Sequence, residues 1–263
     1  MNDQVLLGQY LPGHSFLHRM DPRVKLFLTV LYMVFVFMID HFYGYGLALV
    51  FLLLVIRLNE IPLDKMIKGL RPVITILIFT TIINMLTIPG EALWSFGFLR
   101  ITREGLVWAG FIACRIVLLV LGTTILSLTT SPLKLTDGLE SLLSPLKIIH
   151  FPAHELAMMV SIALRFIPTL FQETDKIMRA QKARGADFDS GNLLRRAKAM
   201  IPLLVPLILN ALDRAADLGL AMEARCYRGG ENRTRLNPLI MNRSDYLTLV
   251  GMSLAFGLGA FLL

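Results

Sequence analysis

The chain has 263 residues, 55% of them hydrophobic and 17% charged, and carries a net charge of +7. Soluble domains hold about 25% charged residues, so a soluble globular domain is excluded and a polytopic membrane protein is expected. The basic excess then reports lysine and arginine held on the cytoplasmic side of a bilayer, not nucleic-acid binding.

The first twenty-three residues are polar, and no small-residue cleavage site follows the first apolar run, so no cleavable signal peptide is expected. From Leu26 to Ile56 the only charged residue is Asp40, and His41-Phe42-Tyr43-Gly44-Tyr45-Gly46 beside it suits an interfacial turn. Two short spans are predicted, 25–40 and 43–57. Residues 72–90 are uncharged and make a third span. Residues 105–133 hold one charge, Arg115, and make a fourth; a charge at that depth is a functional candidate by default. Residues 246–263 are uncharged and make a fifth, with Gly251, Ala255 and Gly259 forming a small-residue stripe suited to close helix contact.

Loop charges set the orientation. Arg19, Arg23 and Lys25 precede the first span, and Arg57, Lys65, Lys68 and Arg71 lie between the second and third, whereas the 40–43 turn has no lysine or arginine. This bias places the N-terminus inside. The expected organisation is a cytoplasmic N-terminal segment (1–23), four transmembrane helices (24–131), a cytoplasmic domain of long helices (132–243) and a C-terminal transmembrane helix (244–263). The segment 131–243 holds 16 Lys+Arg against 11 Asp+Glu, which fits the inner side.

Within that segment, Leu135, Leu139, Leu142, Leu146 and Ile149 step by four and three, the spacing of one apolar helical stripe. Pro145 predicts a kink or break near its end. Residues 154–183 and 199–225 are greasy at one end and polar at the other. Arg165 and Pro168 interrupt the first, and Pro202 and Pro206 the second; 154–172 is also weighed as an extra crossing, against the cost of Arg165.

Both polar ends finish on the same phrase, A-x-x-A-R, at Arg184 and Arg225, with a small residue after each arginine. Glycines at 185 and at 229–230 predict left-handed caps, so both arginines fall near helix C-termini, where a cation is favoured. A planar fork of donors flanked by small residues can grip a carboxylate at two points. The alternative is that each arginine merely faces water.

Other constellations compete. Asn210, Asp213 and Asp217 fall on one helical face. Membrane prenyltransferases use similar arrays to hold Mg²⁺ against a diphosphate. Such a site needs a facing acidic cluster, and Glu173/Asp175 and Asp187/Asp189 are spaced by two, which points them apart on a helix. A solvated face is the plainer reading, and a Mg²⁺-dependent prenyltransferase-like enzyme acting through Asp213 and Asp217 is the alternative. His150 and His154 are separated by Pro152, against a shared metal. The two cysteines, Cys114 and Cys226, sit in unrelated contexts and suggest neither a disulfide nor a metal cluster. There is no phosphate loop, serine elbow, H-E-x-x-H or C-x-x-C, so no catalytic residue, metal or cofactor is expected.

The chain resembles the transmembrane T component of energy-coupling factor transporters, the bacterial vitamin and metal uptake systems. The resemblance is carried by Ala183-Arg184-Gly185 and Ala224-Arg225-Cys226, with support from H-R-M-D-P-R-V-K-L (18–26) and S-P-L (131–133). Cys226 stands where the family usually has glycine. The resemblance implies a multi-pass protein of the bacterial cell membrane that docks each arginine motif on one of two ABC-type ATPase subunits. It also implies that the helix bearing the leucine stripe contacts a substrate-binding S component. ATP would be bound by the partners, and the long helices would be coupling helices.

Overall fold

A computed structural model describes residues 10–96, 99–188, 192–230 and 238–262. The protein is an all-α polytopic membrane protein. Its helices are α1 (Phe16–Arg19), α2 (Pro22–Phe37), α3 (Phe42–Leu58), α4 (Leu63–Thr87), α5 (Arg103–Thr129), α6 (Pro132–Leu143), α7 (Ala153–Ala183), α8 (Leu193–Ala224) and α9 (Arg243–Leu262). An antiparallel hairpin of β1 (Ala92–Phe96) and β2 (Leu99–Thr102) joins α4 to α5, and the sequence reading had missed it. Thr102 closes it: its hydroxyl donates to the Ile88 carbonyl at 2.8 Å and accepts from the Gly105 N–H at 3.0 Å, capping α5.

Among the described residues four helices are long and apolar enough to cross a membrane: α4, α5, α7 and Arg196–Ala224 of α8; α3 is a shorter apolar helix. The third predicted span therefore starts too late. α4 begins at Leu63, and Pro72 lies inside it. Charges at 64–71 hid the helix from a hydropathy reading. The proline removes only the bond to the Lys68 carbonyl, which an otherwise continuous helix tolerates. Likewise Pro168, Pro202 and Pro206 interrupt neither α7 nor α8.

The chain divides into two compact units, leaving the first after Leu142 and returning to it at Pro238. In the first unit, α2, α3, α5 and α9 enclose an aromatic-rich core. Tyr32, Phe35, Val36 and Ile39 of α2 face Tyr45, Ala48, Leu52 and Ile56 of α3 at helical spacing. Phe256 of α9 packs 5.2 Å, centroid to centroid, from both Phe35 and Phe51. Gly259 lies so close to the Phe35 ring that a Cβ there would sit 2.9 Å from Cε2. Gly251 and Ala255 are exposed, so of the predicted small-residue stripe only Gly259 makes a close approach.

Two cations pin α2 antiparallel to α5. Lys25 donates to the Thr129 carbonyl at 3.1 Å, and Arg115 donates to the Ile39 carbonyl at 3.0 Å. The pairs are fourteen residues apart on each helix (25 to 39, 115 to 129). Each cation meets a carbonyl at the C-terminal end of a helix, Thr129 as the last residue of α5 and Ile39 just beyond α2, where unpaired acceptors and the negative dipole end gather. Between them Tyr32 Oη donates to the Leu118 carbonyl at 3.2 Å.

The second unit is built on α7 and α8. Among the described residues α7 buries only Ala153 and Ala157, and α8 buries Leu203. Met159, Val160 and Phe171 of α7 and Ile201, Leu204, Val205, Ile208, Leu209 and Leu212 of α8 stay exposed. So much uncovered apolar surface marks helices that meet lipid or a partner rather than water.

Candidate functional site

Both arginine motifs end their helices in the same way. Arg184 is the last residue in helical register of α7, with its N–H on the carbonyls of Ala180 (3.2 Å) and Gln181 (3.1 Å). Gly185 follows in the left-handed region at φ +86°. Its N–H bonds the Lys182 carbonyl at 3.0 Å, and the Ala186 N–H bonds the Gln181 carbonyl at 2.9 Å. These are the two bonds of a Schellman cap. Arg225 ends α8 identically: the Cys226 N–H meets Glu223 O at 2.8 Å and the Tyr227 N–H meets Met222 O at 3.0 Å. Ala183, Arg184, Gly185, Ala224, Arg225 and Cys226 are all exposed, and a Cβ at Gly185 would meet nothing within 4 Å. Neither guanidinium has an ion pair or side-chain hydrogen bond to another described residue.

Cys226 takes the left-handed conformation at φ +55° without being glycine. An L-residue there costs roughly 1–2 kcal/mol. Cys226→Gly is expected to tighten this cap by about 0.5–1 kcal/mol, because glycine's larger unfolded-state entropy offsets part of the relief. Amide hydrogen exchange at residue 227 should slow about two- to fivefold, with Gly185 unaffected.

The arms carrying the arginines are matched in length. Arg214 of α8 pairs with Glu173 of α7, and each arginine motif lies eleven residues beyond its paired residue (173 to 184, 214 to 225). At ~1.5 Å per residue each tip stands about 16 Å past the ion pair. Beyond α8 the chain turns back at Gly229 (φ +88°), and Gly230 lies against the His154 ring at the start of α7. The two arginines therefore sit toward opposite ends of α7, a helix of roughly 46 Å.

The same ion pair removes the rival reading. Glu173 is committed to Arg214, while Asp213 and Asp217 are exposed. No group of three or more His, Cys, Asp or Glu able to hold a metal occurs among the described residues. Asp189 lies outside the described residues. Among the described residues, Glu173, Asp213 and Asp217 therefore do not form a shared acidic cluster.

The leucine stripe is shared by two kinds of helix. Leu135, Leu139 and Leu142 lie on α6, whereas Leu146 and Ile149 lie on a 3₁₀ helix, Ser144–Ile149, that begins as Pro145 ends the α geometry. Leu139, Leu142, Leu146 and Ile149 are exposed; Leu135 is half-buried. Arg115, left open by the sequence, is a structural clamp: Nε donates to Tyr45 Oη at 3.1 Å, and the guanidinium lies 5.7 Å from the Phe37 ring centroid. Its partners are a carbonyl and a hydroxyl supplied by another part of the chain, which no local sequence signal identifies.

Known proteins agree with this architecture. The family model described as cobalt transport protein, CbiQ, matches residues 13–236. The chain is 52% identical over 251 residues to the energy-coupling factor transporter transmembrane protein EcfT of Thermosediminibacter oceani, covering 95% of both chains. It is 50% identical to EcfT of Acidaminococcus fermentans over all of this chain and 98% of that one. To EcfT of Bacillus subtilis it is 46% identical over all of this chain and 99% of that one. A polytopic helical chain matched end to end by such relatives belongs to the CbiQ/EcfT family, the transmembrane components of energy-coupling factor transporters.

Proposed function

We propose that this chain is the coupling subunit of an ATP-driven importer, with two ABC-type ATPase subunits docked on Arg184 and Arg225 and an S component docked on its apolar helices. The observation that carries the reading is the paired arrangement of the arginines. Two identically capped helix ends each present an exposed guanidinium with no partner among the described residues, on arms of equal length either side of one ion pair. A carboxylate recess on each ATPase is the natural complement.

In this reading the ATPases approach one another on binding ATP and each carries one arginine-tipped helix. α7 and α8 pivot about Glu173–Arg214, and the exposed apolar surfaces move with them. Leu135, Leu139, Leu142, Leu146 and Ile149 belong to the surface offered to the S component. That polypeptide, not this one, recognises the vitamin or other micronutrient. The chain contributes no catalytic residue and no cofactor site; ATP stays on the partners. The loop charges put the N-terminus and 132–243 on the cytoplasmic face of the bacterial cell membrane.

Purification of the chain from its native membranes in mild detergent, with bound proteins identified by mass, tests this. Two ATPase polypeptides and at least one small, very apolar membrane protein are expected in stable association. A chain that purifies alone, with Mg²⁺-dependent prenyl transfer abolished by Asp213→Asn, would overturn it.

A further inference from the structure

The D-P-R-V-K-L segment (21–26) makes contacts that neither the core nor the arginine motifs explain. Lys25 is 3% exposed, and besides the Thr129 carbonyl its Nζ donates to Thr130 Oγ1 at 3.1 Å. These two threonines end α5 just before Ser131 and α6, the last helix of this unit before the chain leaves it after Leu142. Pro22 and Leu26, one helical turn apart, receive α6 itself. A Cβ on Gly138 would lie 3.2 Å from Leu26 Cδ1, 3.2 Å from Pro22 Cβ and 3.3 Å from the Pro22 carbonyl carbon. Arg23 donates from Nη2 to the Leu239 carbonyl at 3.1 Å, on the strand by which the chain returns. Val24 and Leu28, with Met20, pack against Met241 and Leu249 of that strand and of α9.

The segment is itself locked. Asp21, 5% exposed, accepts from the Arg23 N–H at 2.8 Å and caps α2. Asp245, 2% exposed, accepts from the Asn242 N–H at 2.9 Å and closes the start of α9 as a capping box. Asp21 and Asp245 are the acidic groups whose fields reach Lys25, and Lys134 is the opposing cation. Buried hydrogen bonds such as those of Lys25, Asp21 and Asp245 resist displacement, because a shift strands a donor or acceptor away from water.

We propose that residues 21–26 are the mechanical junction of the transporter: one helix end that moors both the strand on which the coupling unit leaves and the strand on which it returns. Lys25, Arg23 and Gly138 are positioning residues. With both strands fixed to one block, motion delivered to α7 and α8 turns the coupling unit as a body instead of dissipating in its two linkers. The proposal rests on the coupling reading above.

The test uses the intact complex with its ATPases, with the spin labels carried by unnatural amino acids so that Cys114 and Cys226 are kept. Spin labels are placed at exposed Trp108 on α5 and exposed Leu220 on α8, and their distance distribution is measured with and without ATP. Thr130→Val removes one acceptor of Lys25 with little change of shape, Thr130→Ser keeps it, and Lys25→Met and Arg23→Gln remove whole moorings. Expected are ATPase rates within twofold of the parent throughout. The resting distribution should broaden at least twofold, with loss of the ATP-driven shift, in the Val, Met and Gln variants, and the parental distribution should be recovered in Thr130→Ser. Parental distributions and shifts in all variants would overturn the junction. So would ATPase loss in step with broadening, since that signals general disruption. Failure of the coupling reading itself shows separately, as a parent complex that holds no ATPase.

Discussion

Arg184→Ala and Arg225→Ala should each release one ATPase subunit from the purified complex while leaving the chain folded. The helix ends do not depend on the side chains. Both Schellman caps are made by backbone groups, and the Arg184 N–H keeps its bonds to Ala180 and Gln181 in alanine. On the proposed docking, what is lost is a charge-assisted, two-point contact with a partner, together with the cost of leaving the partner's carboxylate unpaired. The loss is roughly 2–5 kcal/mol, or about thirtyfold to a few thousandfold in affinity. Lysine should recover only part of it, since one ammonium cannot reproduce the planar fork. The two sites lie at opposite ends of α7, so their effects should add in the double variant. Quantifying each ATPase retained by the tagged chain, across a salt series, decides the matter. Full retention of both by the double variant would show that the arginines face solvent for no purpose.

Much of this was legible in the chain. Composition excluded a soluble domain, loop lysines and arginines suggested the topology, and the A-x-x-A-R phrases located helix ends to the residue. That last success has a local cause. A C-terminal cap is written in a few neighbouring side chains, and Gly185 signals the left-handed turn directly. Cys226 hid the second cap: the sequence points to Gly229-Gly230 for the left-handed turn, whereas the structure makes the cap three residues earlier, at Cys226 (φ +55°). The sequence misplaced the start of α4 because hydropathy cannot see a helix whose first two turns are charged. The β1–β2 hairpin was missed because its strands are only five and four residues long, and Gly97-Phe98 between them is a weaker turn signal than Asn-Gly or Asp-Gly. The Glu173–Arg214 ion pair and the Lys25 and Arg115 clamps were invisible for a different reason. Each joins residues 41 to 104 positions apart, and a single sequence carries no record of such pairings.

Arg115→Met should cost the membrane unit about 2–3 kcal/mol. The substitution keeps much of the stem's volume, so packing loss is small and the change isolates the charge. Replacing a buried ion pair by apolar groups is often harmless, because both partners' desolvation is then avoided. Arg115 differs, since its acceptors remain: the Ile39 carbonyl at the end of α2 and the Tyr45 hydroxyl, which itself donates to Ile39 O at a long 3.3 Å. With Arg115 gone, the end of α2 keeps only that weak bond, in surroundings without water to replace the stronger one. The favourable cation at the negative end of the α2 dipole is lost as well. The melting temperature of the detergent-solubilised chain should fall by about 5–10 °C. Tyr45→Phe should lower it less, because Arg115 still reaches Ile39 O. In the double variant Tyr45→Phe should cost at least as much as it does alone, since it then removes the last side-chain donor to Ile39 O; the departure from additivity measures the coupling. Arg115→Lys should sit between, one ammonium replacing a fork that reaches two acceptors at once. Equal melting temperatures for Arg115→Met and the parent would mean that α2 ends securely without the clamp, and that this arginine serves something other than the fold.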